Sequence, residues 1–201
     1  MEGGFLEVII GLTSFLGAGK TTIADYLTKK KGFVYYSLSD VIRDEIRSRG
    51  LEVTRERLQD VGNELRKEFG NSVLAERILE RIKEESEKDF VIDSIRNPGE
   101  VEALRQRKDF VLVFVDAPLH VRFKRVKERR REKDPLTLEE FRRAEERELK
   151  SKHSANQQLL RCKEMADFII CNNSTLQSLY KKIDNLIKEI TKEKKGGFGN
   201  E

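Results

Sequence analysis

Five short apolar stretches recur along the chain, and longer segments with apolar residues every three or four positions lie between them. Leu6–Ile10, Phe33–Ser37, Phe90–Asp93, Phe110–Asp116 and Phe168–Cys171 have the length and the β-branched or aromatic content of buried strands. The intervening segments read as helices with recognisable ends. Ser39 is placed to cap a helix that stops at Gly50, and Thr54 to cap the next, which stops at Gly70. Asn71 or Ser72 opens a third helix, to about Glu87, and Pro98-Gly99 starts a short fourth. Thr137 and Glu140 have capping-box spacing, and Thr175 is placed to cap a final helix to about Glu193. Strands alternating with helices predict an α/β fold of three layers around a five-stranded parallel sheet. Ligands of such a fold lie at the carboxyl ends of its strands. Residues 1–195 are expected to form one domain, with 196–201 a disordered tail.

Between the first strand and the first helix lies "SFLGAGKT", Ser14 to Thr21. The spacing is that of the G-x-x-x-x-G-K-[ST] phosphate loop, with Ser14 where the first glycine is usual. Gly17 and Gly19, with Ala18 between them, let the backbone curl so that its N–H groups point inward. The helix that follows, through Thr21 and Thr22, adds its positive end, which makes an anion site. Lys20 is predicted to reach the β- and γ-phosphates of a nucleoside triphosphate, and the Thr21 hydroxyl to bind Mg²⁺.

Further candidates fall at other strand ends. Asp40 and Arg43 lie in the first turn after the second strand, where an arginine can make a bidentate contact to a second anion. The third strand ends in Asp93, an arrangement that orients Mg²⁺ and its waters, and Arg96 follows in an Asn-Pro-Gly turn. Gln59, Glu64 and Arg66 share a helix between these sites. Glu64 reads equally as a substrate ligand or as a partner for a neighbouring arginine. Arg125 and Arg129, spaced i, i+4, share a helix face after the fourth strand, with Arg122 nearby. A lid closing arginines over a transferring phosphate fits this stretch better than a solvated helix or a nucleic-acid contact.

Composition narrows the classes. The net charge is +4 with 38% charged residues, a mixed balance that argues against a nucleic-acid partner. No apolar run approaches the ~18 residues of a membrane span, and the amino terminus lacks a signal peptide's pattern. Two cysteines outside any metal-ligand spacing suit a reducing, cytoplasmic setting. The histidines His120 and His153 have no ligand-spaced companions, which argues against zinc chemistry. A monomer or a homodimer is expected.

Taken together, these residues resemble the nucleoside monophosphate kinase family of P-loop phosphotransferases. The resemblance runs from Val8 to about Ile190. It implies that Asp40, Arg43, Glu64, Arg66 and Arg96 bind an acceptor monophosphate on helices spanning about 38–88. It further implies a lid over about 120–160 carrying Arg125 and Arg129, with Asn172 and Asn173 contacting the adenine of ATP. "LQDVGNE" (Leu58–Glu64) and "DSIRNPGE" (Asp93–Glu100) are similar to segments of phage-type deoxynucleotide kinases and of the kinase-like module of some deoxycytidylate deaminases. "VFVDAP" (Val113–Pro118) and "ADFIICNNSTLQSL" (Ala166–Leu179) are similar to dephospho-coenzyme A kinase, whose Asp-Ala-Asp segment is here Leu38-Ser39-Asp40. The implied reaction is ATP-dependent phosphorylation of a (deoxy)nucleoside monophosphate. Dephospho-coenzyme A kinase and a non-catalytic nucleotide-binding module are the alternatives.

Overall fold

A computed structural model describes residues 7–83, 85, 88–129, 137–149 and 158–196. Five strands form one parallel sheet in the order β2-β3-β1-β4-β5: β1 (Ile9–Ser14), β2 (Val34–Ser37), β3 (Phe90–Asp93), β4 (Phe110–Asp116) and β5 (Phe168–Cys171). Alternation along each strand divides the core in two. Ile9, Phe90, Ile92, Phe110 and Leu112 face one side, where they meet helices α2 (Leu38–Ser48), α4 (Val73–Lys83), α5 (Pro98–Leu104) and α8 (Leu159–Glu164). Ile10, Leu12, Val91, Val113 and Val115 face the other, against α1 (Lys20–Lys31) and α9 (Leu176–Gly196). Helix α3 (Arg55–Phe69) lies on α2 and α4 through Val61 and Leu65. Two further helices, α6 (Leu119–Glu128) and α7 (Leu138–Leu149), follow β4. The result is the three-layer α/β architecture.

Three of the five strands have the expected bounds, and β2 begins one residue later than expected. The first strand instead runs on to Ser14, because Thr13 and Ser14 are buried and keep register with Phe114 and Val115 of β4. A polar residue continues a strand when a neighbour supplies its backbone partner. Helix α2 starts two residues early: Ser37, not Ser39, is its N-cap, and the Ser37 hydroxyl is engaged with Ser39 and Ser94 rather than with a helix N–H. Thr54 and Gly70 bound α3 as expected, Thr54 Oγ1 accepting from the Arg57 N–H at 3.2 Å. Helix α4 is Val73–Lys83, shorter than expected, and residues 84, 86 and 87 lie outside the described residues. Thr137 and Glu140 form the reciprocal cap at 3.0 and 3.1 Å. Within the segment read as a lid, α6, α7 and the start of α8 are described, and residues 130–136 and 150–157 are not. Of the tail, Gly196 closes α9 and 197–201 lie outside the described residues. No helix among the described residues is long and apolar enough to cross a membrane.

Candidate functional site

The carboxyl ends of β1, β2 and β3 open into a cleft of about 990 Å³. One end is backbone. The turn after β1 carries Gly17 at φ 79° and Gly19 at φ 97°, left-handed conformations that a side chain resists. Space forbids a side chain as well: a Cβ on Gly19 would lie 2.3 Å from Asn172 Nδ2, and one on Gly17 2.6 Å from the Arg122 carbonyl oxygen. Gly19 directly precedes α1, so the turn delivers Lys20, Thr21 and Thr22 as that helix's first residues. All eight residues from Ser14 to Thr21, and Thr22, line the cleft. Ser14 itself is a strand residue, which explains why this position works without glycine.

Two side chains hold the turn from behind. Asn172, buried at the end of β5, donates from Nδ2 to the Ala18 carbonyl at 2.9 Å, and its Oδ1 accepts from Arg125 Nη2 at 3.3 Å. Arg122 of α6 is buried too, donating to the Ala117 carbonyl at 2.8 Å and the Leu16 carbonyl at 3.3 Å. It also pairs with Glu145 of α7 and lies over the rings of Phe15 and Phe141. The sequence assigns Arg122 no task of its own, and places Asn172 against adenine by side chain or backbone. The Asn172 amide is committed to the turn and to Arg125, so its side chain is not available to read adenine. Asn173 is exposed and outside the cleft lining.

At the middle of the cleft Lys20 Nζ pairs with Asp93, whose Oδ1 also accepts the Ser94 N–H at 2.6 Å. Tyr35, a cleft residue absent from the sequence candidates, donates its hydroxyl to Asp93 Oδ2 at 3.3 Å. Burial, helped by nearby Arg96, pulls the Lys20 ammonium below its ordinary pKa, while Asp93 opposes the shift. Burial and the Asp93 charge push the Tyr35 phenol up to about 12. Ser94 has φ 66°, unusual for a residue with a side chain, and sits in the cleft wall.

The far end is made of side chains. Arg43, Arg66 and Arg96 line it, beside Ser37, Ser39, Thr54 and Gln59 and the apolar Ile42, Val53, Leu58 and Leu74. Arg43 Nη1 is held by Asp40 at 2.6 Å and by Ser39 Oγ at 2.7 Å, so Asp40 orients Arg43 while lying outside the lining. Arg66 is buried, its Nε and Nη2 donating to Glu100 Oε1 at 2.9 and 2.8 Å. Of the two readings of Glu64, the structure shows the arginine partner. Both its oxygens accept from Arg49 Nη1 at 2.9 Å on the outer surface, and Arg49 holds the carboxyl below its usual pKa. Arg125 and Arg129 line the cleft from α6 and its C-cap.

A magnesium triphosphate fits this donor set. The left-handed glycine turn lines the cleft with backbone, Lys20 offers charge, and Thr21 and Asp93 could supply two hard oxygens to a cation that keeps several waters and substrate oxygens. Among the described residues no group of three or more His, Cys, Asp or Glu is arranged to hold a metal by itself.

The family model described as "AAA domain" matches residues 16–142. The chain is 34% identical to the UPF0200 protein of Methanocaldococcus jannaschii over 185 residues, 91% of this chain and 90% of that one. It is 32% identical to the UPF0200 protein of Thermococcus onnurineus over 191 residues, 92% of this chain and 100% of that one. It spans 56% of a longer relative, the UPF0200/UPF0201 protein of Archaeoglobus fulgidus, at 33% identity over 188 residues. The chain belongs to the UPF0200 family and carries the AAA domain. Among solved structures it is similar to the shikimate kinase of Aquifex aeolicus, with TM-score 0.52, 17% identity and coverage of 96% of this chain and 100% of that one. A gluconokinase from Sinorhizobium meliloti matches with TM-score 0.53, 12% identity and coverage of 94% and 98%. The fold is thus that of P-loop kinases.

Proposed function

We propose that this UPF0200 chain is a Mg²⁺-ATP-dependent phosphotransferase whose acceptor is a (deoxy)nucleoside monophosphate. The observation that carries the reading is one cleft with a phosphate-loop turn at one end, three arginines at the other and Lys20–Asp93 between them. Its volume of about 990 Å³ lies at the upper end of ordinary ligand pockets, enough for two substrates. The turn's N–H groups, Lys20 and Thr22 hold the donor triphosphate. Thr21 and Asp93 hold Mg²⁺, which when bound draws charge from the transferring phosphoryl oxygens. Arg43, Arg66 and Arg96 hold the acceptor phosphate in line with the donor, and the apolar strip with Gln59 takes its base. Arg125 and Arg129 stabilise the charge that spreads over the transferring group. The adenine of ATP is left to the exposed turn after β5, where Asn173 stands.

An acceptor phosphate oxygen is already anionic near neutral pH, so no strong base is required. That suits Asp93, whose two oxygens are engaged by Lys20, Ser94 and Tyr35. Dephospho-coenzyme A as acceptor is the second reading, supported by the apolar lining of Ile42, Val53, Leu58 and Leu74.

The test is steady-state ATP consumption with Mg²⁺ across the common ribo- and deoxyribonucleoside monophosphates and dephospho-coenzyme A, with products identified by mass. A nucleoside diphosphate product is expected. Product from dephospho-coenzyme A alone moves the chain to the second reading. ATP binding with no product anywhere identifies a nucleotide-binding module without transfer.

A further inference from the structure

Glu100 is completely buried, yet its carboxylate accepts four hydrogen bonds that join two separate pieces of the cleft wall. Oε1 takes Nε and Nη2 of Arg66 at 2.9 and 2.8 Å. Oε2 takes the backbone N–H of Arg96 at 2.8 Å and of Asn97 at 3.0 Å. The Asn97 bond belongs to the capping box that starts α5, with Asn97 Oδ1 accepting from the Gly99 N–H at 2.9 Å. A capping box asks only that the residue at this position reach back to the N-cap amide. The fork to Arg66 and the bond to the Arg96 amide go beyond that requirement. They tie α3 to the turn between β3 and α5, and so set the guanidinium of one cleft arginine against the backbone of another.

We infer that Glu100 is a positioning residue for the acceptor end, fixing Arg66 and the Arg96 turn in one relative geometry. The inference rests on the proposed reading of that end as the acceptor site. The bidentate pair occupies Nε and Nη2 and fixes the guanidinium plane. Nη1 takes no part in the pair and lies beside Gly62, 3.4 Å from where a Cβ there would stand. An arginine locked before the ligand arrives loses little freedom on binding, and its contact is made at a fixed distance from the donor. Burial keeps the lock closed, because a carboxylate taken out of water holds its partner much more tightly than an exposed one.

Glu100→Gln separates the capping role from the positioning role. Glutamine keeps one accepting oxygen for the Arg96 and Asn97 amides, as capping boxes permit, but turns an NH₂ donor toward the donors of Arg66. Acceptor KM is expected to rise by roughly 10- to 100-fold with donor KM unchanged. The Arg66 side-chain Nε–H, bonded in a buried site, should give a slowly exchanging signal in the ¹H–¹⁵N spectrum of the wild type that is lost in the variant. Glu100→Asp keeps the charge with a shorter reach and serves as the second variant, with a smaller rise in acceptor KM. An active enzyme in which either folded variant loses the Arg66 signal but keeps its acceptor KM overturns the positioning role. Equal rises in donor and acceptor KM also overturn it, since they mark general loosening. A wild type that phosphorylates no acceptor on the panel overturns the reading of the site, and the role of Glu100 with it.

Discussion

The two ends of the cleft are built by opposite means. The end we propose for the donor is backbone: Gly17 and Gly19 in left-handed conformations, with Asn172 and Arg122 holding the turn from behind. The end proposed for the acceptor is side chain: Arg43 held by Asp40 and Arg66 held by Glu100. Backbone N–H groups cannot be exchanged by mutation and bind the part common to every nucleoside triphosphate. Side-chain cations can be exchanged singly, so this is the end where specificity can diverge while the fold stays the same. The two acceptor-end pairs differ as well. Arg43–Asp40 is partly exposed, with side-chain accessibilities of 34% and 48%, whereas Arg66–Glu100 stands at 4% and 0%.

The largest effect expected lies where the ends meet. Lys20→Ala should lower turnover by roughly 10³-fold or more, since it removes a charge from the transferring phosphoryl group. It also releases Asp93 from its ion pair. Retention of wild-type turnover would break the assignment of the donor end. Arg96→Ala should lower acceptor kcat/KM by roughly 10²- to 10³-fold while ATP binding, measured calorimetrically, stays as in the wild type. A parallel loss of ATP affinity would erase the division of the cleft into two ends.

Next comes stability. Arg66→Ala leaves the Glu100 charge buried without its partner, which costs about 3–5 kcal/mol. Arg43→Ala, in the exposed pair, should cost no more than about 1 kcal/mol. Urea midpoints of the two variants measure the contrast directly. Similar midpoints would mean that burial does not separate the two arginines and that Glu100 does not lock Arg66. Gly19→Ala belongs between them. It combines a φ of 97° with a Cβ 2.3 Å from Asn172 Nδ2, and should reduce ATP affinity more than it shifts the urea midpoint.

The same contrast explains what the sequence made legible. Left-handed turns require glycine at fixed spacing, so the donor end was visible as "GAGKT", and strand ends were visible as Asp93 and Ser37 because apolar runs stop there. Helix starts at Thr54, Pro98-Gly99, Thr137 and Thr175 were visible because capping and the fixed φ of proline are local chemistry, whereas the Asn97 cap emerged only in the structure. Pairings between distant segments were not. Glu64 looked like a cleft residue because it shares α3 with Gln59 and Arg66, but five residues along from Gln59 it faces Arg49. Asn172 looked like a base ligand because it follows the last strand, yet the sheet brings β5 beside the P-loop's support and its amide closes on Ala18. Tyr35 gave no signal at all. It sits on an edge strand as an ordinary β-former, and only the parallel pairing of β2 with β3, Ser37 opposite Asp93, brings its hydroxyl to that carboxylate.

Tyr35 also provides the smallest of the expected effects. Tyr35 as a whole is 43% exposed, but desolvation of its phenol in the cleft and the Asp93 charge hold that group up to about 12, against an ordinary value near 10. The folded protein thus binds the phenolic proton more tightly than the unfolded chain does. The resulting stabilisation is whole below pH about 10 and is lost as pH rises towards 12. Ultraviolet difference titration of wild type against Tyr35→Phe should isolate one phenol that ionises late. Because the Asp93 charge is one of the two causes, Asp93→Asn should bring that titration down towards the ordinary range while leaving the part due to burial. If the late phenol persists unchanged in Asp93→Asn, desolvation alone holds Tyr35. The residue then belongs to the cleft wall, with no part in the Lys20–Asp93 centre that joins the two ends.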